Sequence, residues 1–284
     1  MKNLMLYVTE RGGDALDGIR RNLDLQVDNT LELGWRPADL WLYTNFPYGR
    51  HGVRAIEVQA GRRPRTARMT SFHKTEVLLD ALARLDAGGI LWYHDVDAYQ
   101  LQPFAGSPAP GKDLAACLYC TRERLLIQGG SMVLARAARP LFARVHDLLV
   151  HRRYRKDELA LTDLAGRTAF LDCFASLDYS YNLGATDFEL RYQLAERPIK
   201  VAHFHLDRAD HRAKFLGGNS LGVFPLGERF ERLLQRHGYL EPWRRPASAA
   251  ARAAAHGPAH GSAHGPAHGS THGEIARERA VAGG

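Results

Sequence analysis

Two carboxylates, Asp95 and Asp97, stand directly behind the short apolar run Ile90-Leu91-Trp92-Tyr93, inside the stretch ILWYHDVDAYQLQP. On an extended chain, side chains at i and i+2 point to the same side, so both acids can approach one divalent cation. On a helix they would diverge by roughly 200°. A hydrophobic strand rarely runs straight into two charges unless a cation or a set of donors receives them. A cation held by the pair could in turn hold a diphosphate. Asp-x-Asp is a short pattern, common in solvated turns, so the reading needs partners elsewhere in the chain.

Candidates for that role recur along the sequence. His203 and His205 lie at i and i+2 in KVAHFHL. A lone histidine in a strand is usually core or surface, but two on one face at a strand end have the form of ligands. Asp157 and Glu158 open a helical segment at 156–164, a place where the helix dipole alone already accounts for acids. Lys74 is the converse case: a cation in a first turn opposes the dipole, which suggests another task, such as reaching a phosphate. Gln128-Gly129-Gly130-Ser131 interrupts an apolar run, and glycines within a strand mark a bulge or the close approach of another group. Arg62, Arg63, Arg65 and Arg68 crowd the loop 61–68, either as solvated surface or facing a phosphate or an acceptor. Cys117 and Cys120 have C-x-x-C spacing, but no second pair completes a zinc site, and core packing is the expected use.

The elements that must position these residues follow from hydrophobic periodicity. Residues 4–8 read as a strand ending at Thr9, followed by the turn Arg11-Gly12-Gly13. Leu16, Ile19, Leu23 and Val27 predict a helix from Asp14 that ends by Gly34. Strands are predicted at 40–43 and 53–58, then a helix capped by Ser71 and carrying Thr75, Leu78, Leu79, Leu82 and Leu85. After Gly88-Gly89 comes the strand that ends at Asp95. Strands at 114–119 and, in two halves, 126–134 precede a helix begun by Pro140. Residues 171–184 read as irregular and aromatic, 199–204 as the last strand and 228–237 as a closing helix. The β-α-β alternation predicts an α/β fold with a mixed, mainly parallel sheet flanked by helices. Ligands in such sheets bind beyond the carboxyl ends of the strands, where Thr9, Thr44 and Asp95 would lie. No G-x-G-x-x-G and no G-x-x-x-x-G-K-[ST] is present, so neither a dinucleotide site nor a P-loop is supported.

Composition sets outer bounds. The 284 residues, 45% hydrophobic and 24% charged, are those of a globular protein long enough for a sizeable core. No window approaches an uninterrupted span of ~18 apolar residues, and the N-terminal stretch lacks the features of a signal peptide, so a cytoplasmic protein with no transmembrane segment is expected. A net charge of +7 favours anionic ligands, while arginines scattered without an aromatic and basic stripe argue against nucleic acid. From Ala247 the chain turns to Ala, Gly, Pro and His, with His256, His260, His264, His268 and His272 at four-residue steps. This 247–284 tail is expected to be disordered and solvated; loose binding of Zn, Ni or Cu is the alternative.

Taken in order, the Ser71-Phe72-His73-Lys74 helix, LWYHDVD, GGSMVLAR, DELALTDL, YN and VAHFH resemble the GT-A-fold glycosyltransferases, in particular the retaining family 8 type that includes glycogenin. The resemblance covers roughly residues 4–216. It implies one GT-A-like domain over 1–246, with a Rossmann-like nucleotide-sugar half at about 1–104 and an acceptor half at about 105–246. It further implies that Asp95, Asp97 and a histidine ligate Mn or Mg across the two phosphates of a nucleotide-sugar. His203 is the first choice for that histidine, His205 the second. The family motif H-F/Y-x-G-x-x-K-P-W is only begun by HFHLDRADHRAKF, so phosphate contacts by Arg208, Arg212 or Lys214 rest on position alone. By the same resemblance Gln128, Gly129, Gly130, Ser131, Asp157 and Glu158 lie near the donor sugar and acceptor, and Thr9 near the base. If transfer inverts the sugar, Asp157 or Glu158 could deprotonate the acceptor hydroxyl; with retention no strong base is needed. The expected substrates are a UDP- or GDP-sugar and a saccharide, lipid-linked or small-molecule acceptor. Two other readings are a haloacid-dehalogenase-like phosphatase, whose nucleophile also lies in D-x-D, and a non-catalytic nucleotide-sugar-binding protein. The phosphatase would place its motif on the first strand and a threonine or valine where Tyr99 stands.

Overall fold

A computed structural model describes residues 1–8, 14–58, 67–104, 106–120, 125–151, 153–165, 172–216 and 226–240. Thr9, the loop arginines Arg62, Arg63 and Arg65, and the 247–284 tail lie outside the described residues, as does the boundary expected at Ala247.

The chain begins with β1 (Lys2–Tyr7), α1 (Asp14–Glu32), β2 (Leu40–Thr44), β3 (Gly49–Arg50) and β4 (Val53–Glu57), followed by α2 (Ala67–Arg84) and β5 (Ile90–His94). After β6 (Ala98–Gln100) come β7 (Leu114–Cys120), β8 (Leu125–Ala135), α3 (Arg139–Val150), α4 (Asp157–Ala165) and β9 (Phe174–Leu177). The rest comprises β10 (Leu183–Gly184), α5 (Phe188–Leu194), β11 (Val201–His203), α6 (Ala209–Phe215) and α7 (Glu228–Arg236).

An eight-stranded sheet runs β3-β4-β2-β1-β5-β8-β7-β9. β1 pairs in parallel with both β2 and β5, whereas β8 lies antiparallel to β5 and to β7. The sheet is thus mixed and mainly parallel, as the alternation of elements predicts. Successive residues of β1 face opposite layers, as strand geometry requires. Leu4 packs with Val77, Leu78 and Leu82 of α2 and with Phe142 and Val145 of α3, and Met5 packs with Leu23 and Val27 of α1.

A second sheet, β10-β11-β6, is absent from the periodicity-based expectation. Of its strands, β6 and β10 hold three and two residues, too few to show a period of two, while β11 lies inside the strand expected at 199–204. It is held by an aromatic core in which Tyr99 and Phe204 meet Phe188, Phe215 and Phe230 from α5, α6 and α7. The Phe204 and Phe215 rings stack at 4.4 Å. α1 braces its edge: Gln26 donates to the carbonyls of Val96 and Ala98, and Asn29 to that of Gln100 at 3.0 Å.

Several local expectations are corrected. α2 starts at Ala67, so Ser71 is an interior residue and not a cap, and Lys74 sits in the second turn. β8 runs as one strand from Leu125 to Ala135, but its ladder with β7 falls in two halves as expected: Ile127 faces Leu118 and Met132 faces Ala116, so residues 128–131 bulge opposite Cys117. α5 and α6 occupy stretches where no helix was expected.

Candidate functional site

β5 ends at His94, and the chain then turns: the Asp95 carbonyl accepts from Ala98 N at 2.9 Å. The two acids therefore reach one side through a tight turn and not, as the i and i+2 argument had it, through extended chain. Asp95 stays attached to the large sheet, because its N–H donates to Gly130 O at 2.9 Å. Asp97 already belongs to the small sheet, where Phe204 N donates to its carbonyl at 2.9 Å.

His203 ends β11 opposite Ala98 of β6. Among the described residues, Asp95, Asp97 and His203 form a group whose ligand atoms all lie within 4.8 Å of one another. His203 Nε2 stands 3.3 Å from Asp97 Oδ1, and His205 Nδ1 stands 2.8 Å from Asp97 Oδ2. The other nitrogen of His203 faces Asn182 Oδ1 at 3.1 Å. Its N–H can donate there, which turns Nε2 toward the acids, where it carries a proton in the absence of a cation and could give a lone pair to a bound one; metal-bound histidines are fixed in this way. Burial opposes charge on His203, but the Asp97 carboxylate and its hydrogen bond, with Asp95 behind, raise the imidazole pKa to about 9. Burial likewise pushes Asp97 up, yet His203 and His205 outweigh it and hold the carboxyl well below the usual range. The imidazolium stands where a cation would bind. The donor set, two carboxylates and one imidazole, suits a hard divalent ion such as Mn or Mg.

Behind the acids, His94 is buried and neutral. Burial lowers its pKa to about 4, against its hydrogen bonds to the backbone of Asp95 and Ala98. It stacks on Trp92 at 4.1 Å, with its nitrogens 3.0 Å from Asp95 O and from Asn3 Oδ1. Tyr93 donates its hydroxyl to Asp95 Oδ1.

On the far side of β8 lies a second charged group. The Lys74 ammonium is buried, donates to Gly129 O at 2.7 Å, and stands 3.0 Å from Asp157 Oδ2 and 3.7 Å from Asp95 Oδ1. Desolvation works against its charge, but Asp157, Asp95 and Glu158 raise its pKa above the usual lysine range. Burial raises the Asp157 pKa, but Lys74 and the Ser71 hydroxyl, which donates to Oδ1 at 2.8 Å, bring it below its ordinary value. The first-turn position that the dipole argument found odd is thus a second-turn position with two carboxylates in reach. Glu158 accepts from Gly129 N at 3.0 Å and from the Tyr119 hydroxyl at 3.1 Å.

The glycines fit between these groups. A Cβ on Gly130 would overlap the His203 ring and stand 3.3 Å from Asp95 Oδ2. A Cβ on Gly129, on the opposite face, would stand 2.9 Å from Lys74 Nζ and 3.0 Å from Asp157 Oδ2. They mark both a close approach and a bulge, since residues 128–131 of β8 stand opposite Cys117 alone in β7. Gln128 is buried next to them, with Oε1 unpartnered.

The remaining candidates lie apart from this cluster. Thr44 ends β2, buried, and its hydroxyl donates to Phe46 O. Lys214 of α6 donates to Ala185 O at 2.8 Å, and Arg208 pairs with Asp210 at 2.7 Å. Cys117 is buried and its thiol donates to Asp178 O at 3.1 Å. Asn182 and Ser71, which orient His203 and Asp157, had no assigned part in the site; the only signal was a polar residue closing the aromatic run 179–182. Among the described residues no helix is long and apolar enough to cross a membrane.

No protein-family model matches the sequence, and no curated protein matches it either. The structure is similar to that of the galactosyltransferase LgtC in complex with donor and acceptor sugar analogs, with 12% identity, a TM-score of 0.54, and coverage of 86% of this chain and 98% of that one. It is also similar to the glycosyltransferase GlyE of Streptococcus pneumoniae TIGR4, with 14% identity, a TM-score of 0.52, and coverage of 83% and 60%. At such identities the likeness concerns the fold: the chain has the GT-A glycosyltransferase fold.

Proposed function

We propose that the protein is a metal-dependent glycosyltransferase that moves a sugar from a UDP- or GDP-sugar to a hydroxyl of a saccharide, lipid-linked or small-molecule acceptor. The observation that carries the reading is the Asp95, Asp97 and His203 cluster at the carboxyl end of β5 in a GT-A fold. These residues would hold Mn or Mg, which when bound supplies positive charge to the diphosphate of the leaving nucleotide.

The chain's own residues then divide the work. Asn182 fixes the ring of His203, so that Nε2 faces the acids. Lys74, a fixed cation beside Asp95, adds charge next to the leaving group. Asp157 is neutralised by Lys74 and Ser71, and its depressed pKa makes it a poor base, so its part is to hold the lysine. Glu158 is the carboxylate nearer the transferred sugar and the acceptor, oriented by Gly129 N and Tyr119. Gly129 and Gly130 keep β8 free of side chains where Lys74 and Asp157 on one face and His203 on the other close on the strand. Thr9 and Thr44, at or beyond the ends of β1 and β2, would border the base, and Lys214 the phosphates.

A screen of UDP- and GDP-sugars with Mn and with Mg tests this, with binding, hydrolysis and transfer scored separately. Metal-dependent release of nucleoside diphosphate supports transfer. Binding without release would leave a nucleotide-sugar-binding protein, and no binding at all would refute the reading.

A further inference from the structure

Arg191 of α5 is a buried guanidinium that no step above uses; its residue is 4% exposed. It lies over the rings of both Tyr119 and Tyr179, whose centroids are 5.4 and 5.7 Å from its central carbon. Those rings stabilise the cation but offer nothing to the N–H groups in its plane. The carboxylate nearest to it, Asp187, is more than half exposed and stands 3.8 Å from Nη2, beyond hydrogen-bond reach. Nη2 is buried without a hydrogen-bond partner, and so is Oε1 of Gln128. The two side chains flank the same glycine: a Cβ on Gly184 would stand 3.2 Å from Gln128 Nε2 and 3.7 Å from Arg191 Nη1. Gly184 pairs with His203, Gln128 precedes Gly129, and Tyr119 donates to Glu158. Arg191, whose ion pair with Asp187 is long and leaves Nη2 without a hydrogen bond, therefore borders the candidate site.

A buried guanidinium N–H without a hydrogen-bond acceptor is costly, and unsatisfied polar groups in a native structure call for an explanation. We propose that Arg191, with Gln128 beside it, receives a carboxylate carried by one of the two substrates, an inference that rests on the glycosyl-transfer reading. A planar carboxylate fits the guanidinium fork, a geometry that a lysine ammonium would not offer. In that reading the diphosphate has its own partners, the cation that Asp95, Asp97 and His203 would hold and the Lys74 ammonium. The ligand class is thus a uronic acid, on the donor or on the acceptor.

The test uses the full chain with Mn and matched pairs: UDP-glucuronate against UDP-glucose as donors, and methyl glucuronoside against methyl glucoside as acceptors. The charged member of one pair is expected to be favoured in kcat/KM by about tenfold to a hundredfold, the range of a charged hydrogen-bonded pair. The arm that shows the preference identifies the substrate bearing the carboxylate. Arg191→Met should erase that preference, mainly through KM, and leave the neutral member within threefold of wild type. Arg191→Lys should keep the fold and only part of the preference. Turnover of neutral substrates by wild type with no preference for charge in either arm overturns the inference alone, whether or not the variants fold. Equal loss on charged and neutral members in both variants would show a packing role and overturn it too. Failure to bind any nucleotide-sugar would remove the parent reading and this one with it.

Discussion

Gly130→Ala tests the geometry of the candidate metal site. The new methyl group would overlap the His203 ring, and the backbone that carries it cannot retreat. Gly130 O accepts from Asp95 N at 2.9 Å, and the neighbouring Ser131 is in register with His94 at the centre of the sheet. The histidine must give way, losing its 3.1 Å contact with Asn182 and its 3.3 Å approach to Asp97. Overpacking of this kind costs about 1 to 3 kcal/mol. Displacing the partner that orients a metal-bound histidine weakens metal binding by about tenfold to a hundredfold, or about 1.4 to 2.8 kcal/mol. Gly129→Ala is the control, because its methyl group meets Lys74 and Asp157 on the other face of β8. Titration calorimetry with Mn, paired with thermal melting, should show Gly130→Ala losing affinity and Gly129→Ala holding it within threefold while losing turnover. Affinity within twofold of wild type in Gly130→Ala, or equal losses in both variants, would refute the placement of His203 at the metal.

Asp97→Asn should abolish metal-dependent turnover and preserve the fold, as read by circular dichroism; an undiminished rate in EDTA would contradict the metal reading. Lys74→Met leaves Asp157 buried without its cation and should cost about 3 to 5 kcal/mol in urea denaturation. Adding Asp157→Leu should restore part of that stability, whereas strictly additive losses would show that the pair is not coupled. Asp28 is raised by burial but lowered overall by Arg50 and His237, which join α1 to β3 and α7. A carboxyl depressed in the folded state stabilises above its unfolded pKa of about 3.9 and loses that effect as pH falls through its lower folded value. Asp28→Asn should therefore cost about 1 to 3 kcal/mol at pH 5 and progressively less toward pH 3; a deficit that grows on acidification would reverse the assignment.

Six strands of the large sheet were legible because they are continuous apolar runs; β3, of two residues, and β9, inside the stretch 171–184 read as irregular, were not. β5 and its two acids are the clearest instance. Of the small sheet only β11 was legible, inside the strand expected at 199–204; β6 and β10 hold three and two residues, too few to show a period. α5 escaped for a different reason: it starts behind Asp187 in a left-handed conformation, φ 49°, and turns an arginine inward while Leu190 and Leu194 face out, against the ordinary habits of all three. Ser71 reads locally as a cap, and only α4, distant in sequence, shows that its hydroxyl serves Asp157. The acids and His203 could be named from spacing and resemblance. Their approach through a turn depended on the hydrogen bond from Ala98 to Asp95, which no short pattern encodes.

The turn at Asp95 to Ala98 is where the large sheet hands the chain to the small one, so a cation there is held from both sides. A ligand that binds only the joined arrangement stabilises it by RT ln(1 + [L]/Kd), about 2.7 kcal/mol at a hundredfold excess over Kd. That energy acts on the seam and not on the molecule uniformly. Amide hydrogens of β6, β10 and β11 should exchange more slowly when Mn is added, while those of β3 and β4 at the far edge keep their rates. Loading the site would thereby set how often the segment carrying α5 and Arg191 opens.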